Sequence, residues 1–313
     1  MRFLTVPLLS FPLLAMAAQY DLPGNVLNQG EHFLRANTEL VQWHNTGDEI
    51  ANADSPDAAD RVSSRVRDDG EQMYLRITYA LGMTPKWTLG AQLGQGQSQT
   101  DTEIRTAGGG FSGRNESSGM EDIAFFSRVA LGEGGAFTTR VDLPTAAATP
   151  AKTEWNTQAG QTGAMGRGYA VLHLGLEANW TTVLQTQYTG SLGLKVADSR
   201  QVDGLTYTEG NSLSMSFGRV FALEQNSRFV LSTGYEHIFA HQEEGHKIGD
   251  GMSVYVSGEY KQQIYRQWFI MPYLNLSMTQ PGIEKFDLSG KARQVEYMGG
   301  TETQLGLSMV SQF

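Results

Sequence analysis

The sequence predicts an all-β fold, a transmembrane, antiparallel, up-and-down β-barrel of about 12 strands, and three observations lead to it. After residue 18 no stretch approaches the ~18 consecutive apolar residues of a spanning helix. Apolar residues instead recur at every second position in many segments, the period of a strand with one apolar face. The connections between those segments alternate strictly between long and short, as in a barrel with tight turns at one end and larger loops at the other. Composition agrees. Of 313 residues 36 are glycine and only 18% are charged, against norms of ~7% and ~25%, a skew toward strands and turns.

The chain begins with a predicted signal peptide, residues 1–17: Arg2, an apolar run from Phe3 to Leu14, then Ala15-Met16-Ala17 with small residues at the cleavage-determining positions. Pro7 and Pro12 exclude a long buried helix here. Cleavage after Ala17 removes Arg2 and takes the formal charge from −10 to −11. The chain contains no cysteine, which excludes a disulfide framework, a thiolate nucleophile and a lipid anchor on sulfur. Residues 18–31 form a short periplasmic N-terminal segment, too short for a long plug, so any occlusion is expected from inward-folded loops. The barrel is predicted over 32–313.

In chain order the predicted strands are 32–43, 71–81, 87–98, 120–131, 136–147, 168–178, 181–194, 211–221, 228–240, 252–262, 266–278 and 302–313. The second has Met73, Leu75, Ile77, Tyr79 and Leu81 against Gln72, Tyr74, Arg76 and Thr78. In the third, Trp87, Leu89, Ala91 and Leu93 alternate with Thr88, Gly90 and Gln92. Ile123, Phe125, Val129 and Leu131 define the fourth, Phe137, Val141 and Leu143 the fifth, and Leu172, Leu174 and Leu176 the sixth. Val254, Val256 and Tyr260 mark the tenth, and Leu305, Leu307 and Met309 the last. The connections run 27, 5, 21, 4, 20, 2, 16, 6, 11, 3 and 23 residues. An even strand count leaves both termini at one end, predicted periplasmic.

Three further features fit this reading. Trp87, Trp180 and Trp268 fall at the short-turn ends, with Phe137, Phe221, Phe229 and Tyr265, an interfacial aromatic girdle. The last strand ends in Phe313, which resembles the terminal signal read by the outer-membrane insertion machinery. The six long connections carry −4, −1, +1, −1, −2 and 0, summing to −7. Most of this lies in Asn45 to Gly70, with Asp48, Glu49, Asp54, Asp57, Asp60, Asp68 and Asp69, a solvated loop able to meet divalent ions between lipopolysaccharide heads. An acidic chain without clustered Lys and Arg excludes nucleic acid as a partner. The expected partners are outer-membrane lipids and lipopolysaccharide, the insertion machinery and a small-molecule solute.

Gly119-Met120-Glu121-Asp122-Ile123, then Asp142-Leu143-Pro144-Thr145, then Gly166-Arg167-Gly168-Tyr169 resemble the outer-membrane family named for the MetA pathway of phenol degradation. That family is similar in outline to the long-chain fatty acid and aromatic hydrocarbon transporters. Glu121 and Ala146 stand where the family usually has glycine. The resemblance implies a bacterial outer-membrane barrel and, for function, small-molecule passage. Independently of it, Pro144 lacks an amide donor and belongs near a strand end, and Asp122 enters the lumen near the top of its strand.

By parity Arg76, Arg128, Arg140, Asp142, Glu177, Glu236, Glu259 and Lys261 face inward with Asp122, as candidates for a constriction or for ion pairs across neighbouring strands. Tyr74, Phe126, Tyr169, Tyr255, Phe269 and Tyr273 are the inward aromatics, either filling the lumen or meeting an aromatic solute. His237, His241 and His246 cluster near the fifth long loop, but the i, i+4 spacing of the first two suits a helix, which this segment is not, and no metal or other cofactor is expected. No enzyme is expected either: none of the six histidines belongs to a His-x-Ser pair, and His173 lies on the lumen side. The expected function is passive passage of small molecules, apolar or aromatic ones favoured. The alternative is a plugged structural or adhesive barrel, and a hydrolase ranks behind both.

Overall fold

The computed structural model describes residues 20–51, 62–106, 109–145, 161–163, 169–202, 205–207, 210–224, 226–243, 246–248, 250–279, 282–288 and 291–313. The wall consists of β1 (His32–Ala51), β2 (Val62–Thr84), β3 (Trp87–Thr106), β4 in two segments (Gly109–Met120 and Ile123–Gly132), β5 (Gly135–Leu143), β6 (Val171–Thr181), β7 (Gln187–Ala197), β8 (Ser212–Glu224), β9 (Ser227–Ile238), β10 (Gly251–Tyr265), β11 (Trp268–Thr279) and β12 (Lys291–Gln312). Each strand pairs antiparallel with the next, and β1 pairs with both β2 and β12. The sheet is therefore a closed barrel of twelve strands, in which every described wall strand has a neighbour on both sides.

Alternation sets the two faces of the wall. Leu75 and Ile77 of β2, Phe125 of β4, Leu192 and Leu194 of β7, Val254 and Val256 of β10, Leu274 and Leu276 of β11, and Leu305 and Leu307 of β12 are large apolar side chains exposed on the outside. A continuous apolar belt of this size fits lipid rather than water. The intervening residues, including Glu39, Arg76, Asp142 and Lys261, turn inward.

Strand limits differ from the periodicity reading in instructive ways. β1, β2 and β3 run well past the predicted limits of 43, 71 and 98, so much of the first two long connections is extended hairpin rather than irregular loop. In these stretches apolar alternation stops although the hydrogen-bond ladder continues. There Asp69 bonds His44 and, at 2.6 Å, Arg67. The acids Asp54, Asp57 and Asp60, the side chains of Asp48 and Glu49, and residues 1–17 lie outside the described residues. β7 begins at Gln187 rather than 181 because residues 182–186 form a turn, with Gln185 in the left-handed region at φ 59°. β5 stops at Leu143, just before Pro144.

The wall is interrupted at Glu121 and Asp122. Below this point β4 pairs with Trp87–Gln92 of β3, above it with Gln95–Thr106. The Glu121 amide spans the gap by donating to the Gly94 carbonyl at 2.9 Å, and Gly119 takes φ 142°. Since β5 ends at this level, the upper β4 segment pairs instead with Gln161–Gly163, in parallel.

Candidate functional site

The lumen is closed at the turn end by the chain's own N-terminal segment. Tyr20 and Leu27 are buried with Phe33, Ala80, Met271 and Val310, and Phe126 and Phe269 pack against them; Leu22 is buried with Val220 and Val230. The polar anchors come from strands around the barrel. Asp21, with 3% side-chain exposure, pairs with Arg228 of β9 and, at 3.0 Å, Lys261 of β10. Burial alone raises the Asp21 pKa, but the two cations outweigh it and hold the carboxyl below its ordinary 3.8. Arg128 of β4 donates to the Tyr20 and Asn25 carbonyls at 2.8 and 2.9 Å and stacks over the Tyr20 ring. The Gly24 amide donates to Glu177, the Leu27 amide to the Thr88 hydroxyl, and Asn179 to the Pro23 carbonyl. Burial pushes the Tyr20 phenol up to about 12. Gly82 admits the segment: a Cβ there would strike the Leu27 and Asn28 carbonyls. Occlusion at this end thus comes from residues 20–31, which corrects the expectation that loops must provide it.

At mid-height the inward charges are paired. Arg76 donates to Glu39 at 3.0 Å and makes a two-pronged bond to Glu121 at 2.8 Å, with its guanidinium over the Tyr74 ring. Tyr273 donates to Glu39, and Ser308 joins Asn37 to Arg35. On β5 Arg140 bonds Asp142 at 2.6 Å, and His173 of the neighbouring β6 reaches the same carboxylate at 3.3 Å. Ser212 donates to Glu236 at 2.5 Å, with Lys195 at 4.0 Å. Glu121 is a member of this layer that strand parity misses, because it sits in the break of β4.

Toward the loop end lies a pocket of about 340 Å³, lined by Trp43, Asn45, Gln72, Ser277, Thr279, Gly300, Thr301 and Glu302. Two glycines recess its wall. A Cβ at Gly70 would enter the Trp43 ring, and one at Gly300 would strike the Asn45 and Thr279 side chains.

The sequence-derived candidates thus divide among three levels. Arg128, Glu177 and Lys261 contact the plug, and Glu259 sits among Asp21, Arg35, Arg228 and Lys261. Arg76, Arg140, Asp142 and Glu236 belong to the mid-lumen pairs. Asp122 sits in the β4 interruption, not within a strand. Of the aromatics, Phe126 and Phe269 pack on the plug, Tyr74 and Tyr273 on the ion-pair layer, and Tyr255 covers Gly234. Tyr169 precedes β6 rather than opening it. His237 packs edge-on against Phe239, while the His241 and His246 side chains lie outside the described residues. Among the described residues no group of three or more His, Cys, Asp or Glu is arranged to hold a metal. Trp43 and Glu302 stand outside the motifs and inward sets on which the sequence reading rests.

A lipid-facing exterior, a charged lumen and an internal plug define a transmembrane β-barrel. No family profile and no curated protein matches the chain. Among solved structures it is similar to an outer membrane channel from Pseudomonas putida F1, with 12% identity, coverage of 93% of this chain and 98% of that one, and a TM-score of 0.49. A Pseudomonas aeruginosa FadL homologue gives 10% identity, 95% and 96% coverage and a TM-score of 0.49. The CymD monoaromatic hydrocarbon channel gives 10%, 96% and 91%, and 0.46. At such values the likeness bears on neither substrate nor mechanism.

Proposed function

We propose that this chain is a bacterial outer-membrane channel for passive passage of small molecules, aromatic or apolar ones favoured, inserted by the outer-membrane machinery through its terminal strand and Phe313. Both termini then face the periplasm, and the long hairpins meet lipopolysaccharide and the outside. The observation that carries the reading is the lumen. At mid-height its charges are paired along the wall, whereas the apolar clusters among the described residues lie at the turn end, where residues 20–27 fill them. A structural barrel is served by a fixed filling, whereas a channel has to be able to release it.

The plug also supports the rival reading of a permanently closed envelope protein, and one assay separates the two. Conductance in planar bilayers is compared for the full mature chain and for a chain lacking residues 20–27. The channel reading expects discrete openings in the first and larger, steadier conductance in the second. Absence of current from both supports the closed structural barrel.

A further inference from the structure

We infer that the pocket at the loop end of the lumen binds an organic cation, a primary or quaternary ammonium carried on an aromatic or compact apolar body. The proposal deepens the channel reading by naming a ligand class, and relies on that reading only for the route by which the ligand arrives.

Glu302 carries the argument. It projects from β12 into the lumen and is half-buried, yet it has no hydrogen-bond or ion-pair partner among the described residues, whereas Arg76, Arg140 and Asp142 are all paired. The charged group acting on it is Glu39, which is itself engaged by Arg76 and Tyr273. A carboxylate withdrawn from bulk water beside a like charge is costly unless a cation meets it. Among the described residues none meets it, which leaves that role to the ligand.

The rest of the pocket suits that ligand. Trp43 adds an aromatic ring, which attracts an ammonium through its π face and accepts an apolar body by contact. The ring lies over Gly70 and Asn45 occupies the recess at Gly300, so two residues without side chains create the space. Gln72, Ser277 and Thr301 also line it, and about 340 Å³ is within the range of small-ligand sites. The excess of −7 in the long connections raises the local concentration of cations at the mouth.

The test is calorimetric titration of the detergent-solubilised full chain with two probes of equal size, phenethylammonium and 2-phenylethanol. The cation is expected to bind at least about tenfold more tightly. Glu302→Gln should erase that preference while leaving the alcohol unchanged, and Trp43→Leu should weaken both. Equal binding of the probes to the unaltered protein, a comparison that needs no variant to fold, overturns the proposal, as does undiminished cation binding by E302Q. Conductance is measured separately. Openings without cation preference refute this site and spare the channel, whereas cation binding without openings refutes the channel and spares the site.

Discussion

Replacing Asp21 by asparagine should loosen the plug. The change preserves shape but removes the charge that two buried cations, Arg228 and Lys261, share. Breaking a buried pair by deleting one partner costs about 3–5 kcal/mol. Arg228 retains 13% side-chain exposure and gains water once the segment leaves, so the lower value is the better guide. About 3 kcal/mol changes the docked-to-released ratio by about two orders of magnitude. Because the chain lacks cysteine, a single Leu27→Cys reports the change directly. Leu27 is fully buried when docked, so its labelling by a water-soluble maleimide measures release. Labelling should accelerate about 100-fold in the D21N background, with a matching rise in conductance. Unchanged labelling and unchanged conductance would refute the assignment of Asp21 as the principal anchor.

Further outcomes follow from the same geometry. Asp21 titrates below its ordinary 3.8 when docked, so its contribution is complete above that value and lost as pH falls through the docked pKa; conductance should be steady between neutral and mildly acidic pH and rise only under strong acid. Tyr20, raised to about 12, contributes fully below 10.0 and loses its contribution as pH climbs through about 12, so a second, alkaline opening is expected in bilayer recordings and should vanish in Tyr20→Phe. Gly82→Ala places a methyl against the Leu27 and Asn28 carbonyls and should release the segment without altering any charge, read as faster Leu27→Cys labelling. Leu307→Arg puts a cation on the lipid face, costing about 2–4 kcal/mol near mid-membrane; urea unfolding in vesicles followed by heat-modifiable gel migration checks it.

Strand number and facing are legible in the sequence because lipid demands an apolar residue at every second position, as Met73, Leu75 and Ile77 show. Where lipid ends, so does the code. The upper halves of β1 and β2 look like loop because apolar alternation stops in sequence there, although their backbones remain paired. The plug is opaque for another reason. Tyr20 to Glu31 has no periodicity and reads as a linker, and its partners Thr88, Glu177, Arg228 and Lys261 lie 61 to 240 positions away in the chain. Glu121 is missed because it falls in the interruption of β4, where parity fails. Trp43 and Glu302 occupy ordinary inward positions, and only the recesses at Gly70 and Gly300 distinguish them.

The seam between β1 and β12 also imposes a schedule. Phe33 faces Gln312, and His32 exchanges both backbone bonds with Phe313, so the ring is shut by residues from the two extremes of the chain. Closure therefore requires β12 to be in place beside β1. Residues 20–27 are joined through residues 28–31 to His32, on the strand that forms the seam. The plug's anchors on β4, β6, β9 and β10 are thus brought around it by the same closure that joins β1 to β12.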